Sequence, residues 1–193
     1  MKINFIKTII PDAAFRKQYE LGSLMIYHIG EVLNKELGAY ECYECSMAVS
    51  FFDEEEVKNA FDEYIQGIEK IKLQQVKQDK LQEIDTYDLS SAVNSFTLNG
   101  KERWLKNDLR RSLSYSTNIL KEDGEKTVDI WFDTVCETMD IDNALYMLKE
   151  LEVYAKQTNN VTHQHKAEVM SLTSIADVEA YDITKDYPAL LDF

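Results

Sequence analysis

The sequence predicts an α+β protein, with small mixed or antiparallel sheets packed against helices and a long central helix joining two halves. Three observations lead there. Short runs of β-forming residues closed by turn signals occur in both halves: Leu24–Ile29 lies between Gly22 and Gly30, and Val93–Leu98 runs into Asn99-Gly100. Between them Val57, Phe61, Tyr64, Ile65, Ile68 and Ile71 recur at three- and four-residue intervals, which draws an apolar stripe along one helix face. Further helical spacing follows Asn107 and Ile141, and 45% apolar residues in a chain of 193 suffice for a packed core.

Taken in order, Lys2–Ile10 is apolar enough for a strand, with Ile3, Phe5 and Lys7 on one parity and Pro11 as its stop. Asp12–Tyr19 is expected to form a brief helix and Leu24–Ile29 a second strand. A short helix is then expected over Glu31–Leu37, ending before Gly38, and a longer strand over Tyr40–Phe52. Asp53 is placed to cap the central helix, whose opening acids Glu54, Glu55 and Glu56 sit at the positive end of the backbone dipole. Its solvent face should carry Glu56, Glu63, Gln66 and Lys70. Past Ile71 the stripe thins through Leu73, Val76 and Leu81 while polar residues increase, so this stretch reads as an exposed connecting helix. The expected division is therefore an N-terminal α+β attachment region over residues 1–82 and a C-terminal α+β domain over residues 83–193, with Lys77–Asp88 as the hinge.

In the second half Asn99-Gly100 supplies a left-handed-compatible hairpin turn between Val93–Leu98 and Lys101–Leu105. Asn107 or Asp108 should begin a helix through Leu113 and Ile119 that Asp123-Gly124 breaks. Thr127–Phe132 reads as a strand available to the same sheet. From Ile141 to Thr158 a stripe of Ala144, Met147, Leu148, Leu151 and Tyr154 marks a helix, and Thr162–Leu172 resumes the pattern with Ala167, Val169 and Met170. Two helices against a small sheet are expected. Ser174 and Asp177 form a capping box for a last short helix ending near Tyr181, and Leu190, Leu191 and Phe193 can tie the terminus onto a core.

The chain carries 35 acidic against 21 basic residues, a formal charge of -14, which opposes association with phosphate backbones. Both halves contribute equally, since residues 1–90 hold 17 acids and 10 bases and residues 91–193 hold 18 and 11. No apolar run approaches the roughly 20 residues that cross a bilayer. Lys7, Pro11 and Asp12 interrupt the apolar opening before a signal-peptide core can form, so neither membrane insertion nor export by its own signal is expected. Three cysteines make no complete disulfide framework and suit a reducing compartment.

Residues that could carry chemistry have simpler explanations. Cys42 and Cys45 have a Cys-x-x-Cys spacing, but on a strand residues three apart point to opposite faces, and no second pair completes a metal site. They are expected to be packed free thiols; Cys136 has no partner motif. His163 and His165 lie near an expected helix start, where residues two apart share no face, and His28 is isolated in a core or surface position. The acids Asp53–Glu56, and Glu137, Asp140 and Asp142, are expected to cap helices or meet solvent. No catalytic, cofactor-binding or metal-binding residue is assigned, no cofactor is implied, and no enzyme is expected.

Lys101, Arg103, Lys106, Arg110 and Arg111 form the densest basic run, with Trp104 inside it. In so acidic a chain, without a nucleic-acid-binding motif, these cations are expected to form salt bridges and not to bind nucleic acid directly; Arg110 is suited to pair with a nearby carboxylate. Trp104 and Trp131 are both expected to pack in the core. Trp104 also has the setting of an interface anchor, an aromatic rimmed by charge, which makes Lys101, Arg103, Trp104 and Lys106 the candidate protein interface.

Residues from about 80 to 193 resemble a C-terminal domain recurrent in bacteriophage tail and tail-fibre-associated proteins, especially of phages infecting gut Bacteroidetes. The residues that carry the resemblance are Lys80–Asp88, Val93–Gly100, Trp104, Arg110, Trp131, Leu148–Ala155, Asn160–Lys166 and Val178–Pro188. The resemblance implies a structural protein of the virion, assembled in the bacterial host cytoplasm. It would belong to the tail, baseplate or fibre apparatus, a head fibre included, and act by docking to other phage structural proteins, with a homo-oligomer left open. The alternative expectation is a cytoplasmic tail-fibre assembly chaperone or accessory protein absent from the mature virion.

Overall fold

The first sheet of the computed structural model, which describes residues 2–193, is antiparallel and four-stranded. Its strands are β1 (Ile6–Pro11), β2 (Gln18–Leu21), β3 (Leu24–Asn34) and β4 (Ala39–Ala48), in spatial order β1-β4-β3-β2. The inner pair lies in register from Leu24 opposite Ala48 to Asn34 opposite Ala39, with an irregularity between Ile29 and Val32. Two-residue alternation divides the sheet into faces. One presents Tyr27, Ile29, Cys45 and Met47 to Phe5 and to Val57 and Phe61 of the long helix α1 (Glu54–Asp88). The other carries His28 and Cys42, with Phe15 stacked on Tyr40 at 4.2 Å between ring centroids.

Gly30 sits at the strand irregularity with φ +67, and a Cβ there would stand 2.7 Å from Phe61 Cζ. Only glycine satisfies both the left-handed backbone and the approach of that ring. Asp53 caps α1 as its sequence suggested, its Oδ1 accepting from the amides of Glu55 at 2.9 Å and Glu56 at 3.2 Å. Glu56, Glu63, Gln66 and Lys70 lie on the solvent face, while Ile71, placed in the apolar stripe by spacing, is exposed.

Two expected helices of this half are corrected. Asp12–Tyr19 is a single 3-10 turn over Asp12–Ala14 followed by β2. Glu31–Leu37 is the end of β3 and a turn, because Val32, Leu33 and Asn34 pair with Glu41, Tyr40 and Ala39. The Asn34 side chain then accepts from the amides of Glu36 and Leu37, holding the turn that a helix would have occupied.

The chain forms two compact units, one up to Lys72 and one from Leu73 to Phe193. The division falls within α1, ten residues before the 82/83 boundary expected from the thinning stripe. The stretch Leu73–Leu81 is also not the exposed connector expected. Leu73, Val76 and Leu81 pack around a buried cluster of Ile84, Val169 and Val178, and the buried Lys77 donates to the Met170 carbonyl at 2.7 Å. That carbonyl lies in the last turn of helix α4 (Ile141–Ser171), where orphan acceptors need a donor. A fragment of residues 73–193 is accordingly expected to unfold cooperatively in urea. A fragment of residues 85–193, lacking Ile84 and Lys77, should do so at a lower midpoint, and equal midpoints would contradict this packing.

The second unit contains two separate hairpins. A short helix α2 (Ser91–Asn94) leads into β5 (Ser95–Leu98), which turns at Asn99 (φ 52) and Gly100 (φ 74) into β6 (Lys101–Trp104). Helix α3 (Asn107–Glu122) follows and ends where expected, before Gly124. Strand β7 (Thr127–Phe132) pairs with β8 (Val135–Asp140), not with the first hairpin, because a two-residue turn at Asp133-Thr134 returns the chain at once. Asp140 caps α4 through the amides of Asp142 and Asn143. Ile141–Ser171 is one unbroken helix where the sequence suggested an interruption near residue 160. Helix α5 (Ile175–Glu179) begins at Ser174, whose hydroxyl accepts from the Asp177 amide at 3.1 Å.

The core of this unit joins Phe96, Leu98 and Leu105 to Val128, Ile130 and Phe132, and to Ile141, Ala144, Met147, Leu148 and Leu151 of α4. The C-terminus is tied in as expected: Thr97 donates its amide to the Leu191 carbonyl and accepts from the Phe193 amide, Asn99 donates to the Phe193 carbonyl, and Phe193 meets Phe96 edge-on at 5.9 Å.

Candidate functional site

Strand alternation decides where the four candidate interface residues go. On β6, Lys101 and Arg103 face one way and Glu102 and Trp104 the other. Arg103 turns inward, its guanidinium 5.4 Å from the centre of the Phe132 ring and bonded to Glu137. That hydrogen bond, with help from Asn99, holds the Glu137 carboxyl below its ordinary range. Lys101 is exposed beside this pair. Trp104 is 45% exposed and shares a cleft with Lys106, so the four residues do not form one surface: Trp104 and Lys106 are together, and Arg103 is committed to an internal ion pair.

The same alternation displaces the second tryptophan from the core. Along β7, Val128, Ile130 and Phe132 are buried, which leaves Asp129 and Trp131 on the outer face, and Trp131 is 58% exposed. The signal was present in the sequence, because three apolar residues at every second position already fill the inner face. Trp131, Asp129 and Asp133 enclose a cleft of about 560 Å³ with Trp104, Lys106 and, from α3, Leu109 and Leu113. Asp133 begins the β7–β8 turn at φ 52. Asp129 Oδ1 accepts from the Thr138 hydroxyl across the hairpin.

The remaining candidates for chemistry lie elsewhere in the fold. Cys42 and Cys45 are buried on opposite faces of β4, and burial raises both thiols, Cys45 to about 11, with Glu44 adding to it. Cys136 is exposed, and its thiol is raised by desolvation and by Asp129. A thiol so held is a poor nucleophile and metal ligand. No group of three His, Cys, Asp or Glu residues is arranged to hold a metal among the described residues. Arg110 forms the expected carboxylate pair, Nε to Glu152 Oε1 at 2.9 Å, and also donates to the Leu105 carbonyl at 2.7 Å.

His165 is not near a helix start but deep within α4, fully buried between the Tyr181 hydroxyl at 2.7 Å and the Lys185 carbonyl at 2.9 Å. His163, two residues earlier, is exposed. Tyr181 donates to Glu168 at 2.6 Å, and burial with that carboxylate pushes its phenol up. Hydrogen bonds from Tyr181, Gln164 and Lys185 hold the Glu168 carboxyl down at about 2. A depressed carboxyl stabilises the fold above its ordinary value of 4.5, and this contribution is lost as pH falls from there towards 2. Glu168→Gln is therefore expected to flatten the loss of stability between those limits in acid denaturation followed by circular dichroism. An unchanged acid profile would contradict the clasp.

The fold thus defines an α+β protein of two compact units with an aromatic cleft on the second. No family model, no curated protein and no solved structure matches the chain. No helix among the described residues is long and apolar enough to cross a membrane.

Proposed function

We propose that the protein is a non-enzymatic structural component of a bacteriophage virion, belonging to the tail, baseplate or fibre apparatus and acting by docking to other phage structural proteins. The phage reading rests on the resemblance carried by residues 80 to 193. The observation that supports docking is the open edge of the first sheet. Among the described residues strand β1 pairs only with β4, and its Ile6 and Ile9 are 67% and 58% exposed. An unpaired apolar edge offers backbone donors and acceptors to an added strand and is a liability unless something covers it. The first unit then attaches the chain, and the second is the module it carries.

Mass spectrometry of purified particles tests the reading. A reproducible copy number in the particle supports it. Abundance in infected-cell lysate with absence from particles would favour the assembly-chaperone alternative. Ile9→Lys, which places a charge on the exposed edge, should lower incorporation while leaving the melting temperature of the isolated protein unchanged.

A further inference from the structure

We propose that the cleft between Trp104 and Trp131 receives an arginine side chain presented by a partner protein. It lies on other elements than the β1 edge and stands independently of the virion reading.

Both indoles offer unpartnered faces. Trp104 and Trp131 are about half exposed, and neither pairs with another aromatic ring among the described residues. The cations that lie over rings are Arg103 on Phe132 and Lys185 on Tyr181, so no basic side chain of the described residues covers a tryptophan, the ring face that attracts a cation most.

The charge around the indoles is left negative. The Asp133 carboxylate accepts no hydrogen bond and forms no ion pair among the described residues, and Asp129 uses only Oδ1, on the Thr138 hydroxyl. Glu102, exposed on the Trp104 face of β6, adds a third carboxylate beside the cleft. The basic run does not neutralise them. Arg103 and Arg110 are bound to Glu137 and Glu152, and Arg111, two residues from both Leu109 and Leu113, lies on a different face of α3. Lys106 lines the cleft, but it pairs with neither aspartate, and as an exposed lysine it can carry its ammonium out into solvent.

These features select the occupant. An acidic segment would meet the carboxylates in the field of a chain of net charge -14, and a second copy would bring the same charge again. A metal ion lacks ligands, since no group of three His, Cys, Asp or Glu residues is arranged to hold one among the described residues. A neutral segment would cover the carboxylates unpaired, which is costly. A cationic side chain satisfies the carboxylates and the indole faces together. Of the two kinds, the guanidinium fits better than the ammonium, because it is planar and stacks on aromatic faces, forks onto both oxygens of a carboxylate and gives up water more readily. Its apolar stem matches Leu109 and Leu113, and about 560 Å³ leaves room for flanking backbone. Tryptophan and arginine are also enriched where protein interfaces gain most of their affinity, which makes a partner protein the source of the side chain.

The chain has only two tryptophans and both line the cleft, so its tryptophan emission reports on this site alone. The full chain is titrated at low salt with a short glycine-serine peptide carrying spaced arginines, with matched peptides carrying lysine or glutamate instead, and with spermidine. The expected result is a saturable change in emission with the arginine peptide, weaker binding of the lysine peptide and of spermidine, none of the glutamate peptide, and loss of binding at high salt. Asp133→Asn removes a charge while asparagine tolerates the left-handed φ of 52 at that position, and it should weaken the arginine peptide by about fivefold. Lys106→Gln removes the one like charge in the cleft, breaks no side-chain cap of α3 and should tighten binding by about twofold. Both variants keep both indoles, so the same signal serves. No saturable change with the arginine peptide, equal or tighter binding of the lysine peptide, the glutamate peptide or spermidine, unchanged affinity in Asp133→Asn, or weaker binding in Lys106→Gln would overturn the proposal.

Discussion

Phe61→Ala is expected to destabilise the first unit by about 3–5 kcal/mol, the range for removing a buried aromatic ring. The ring is 9% exposed and packs edge-on against Phe5 at 5.2 Å and against Tyr43 at the same centroid distance. It also closes over Gly30, so its loss opens a cavity whose floor is backbone and cannot collapse by a change of rotamer. Denaturant unfolding compared with the parent measures the effect. A shift below about 0.5 kcal/mol, the usual size at surface positions, would mean that the ring does not pack as described.

Leu148→Ala is expected to cost about 2–5 kcal/mol in the second unit. Leu148 is fully buried on the face of α4 that meets both hairpins, with Ala144, Met147 and Leu151 around it and Ile130 of β7 in the same cluster. The two substitutions address cores that share no residue. If the units unfold separately, Phe61→Ala should move one transition and Leu148→Ala the other. If they unfold together, both should move the same one. A Leu148→Ala chain with parental stability would contradict the packing of α4 on β7.

Features set by near neighbours were legible in the sequence. The Asp53 and Ser174 caps, the Asn99-Gly100 turn and the end of α3 before Gly124 each depend on a few adjacent residues, and each formed as expected. What could not be read locally depended on distant partners. Glu31–Leu37 has helical composition, yet β4 claims its first half through the strand ladder. Leu73, Val76 and Leu81 look sparse until Val169 and Val178, about a hundred residues later, supply the other side of the stripe. Arg103 and Trp104 are adjacent in sequence, but alternation sends one to Glu137 and the other to the cleft, and Trp131 joins Trp104 through a strand that the run of basic residues does not reveal.

The meeting of Gly30 and Phe61 constrains how this sequence can drift. The two positions lie thirty-one residues apart yet cannot vary independently, and the dependence runs one way. A smaller side chain at 61 leaves glycine at 30 acceptable, with a stability deficit as its only consequence. Any side chain at 30 is opposed twice, by the ring and by a positive φ that persists when the ring is gone. Lineages descended from this chain should therefore lose the aromatic before they lose the glycine. A descendant that carries a β-branched residue at 30 should also show the strand irregularity between Ile29 and Val32 repaired or shifted, since that irregularity is what demands the left-handed backbone.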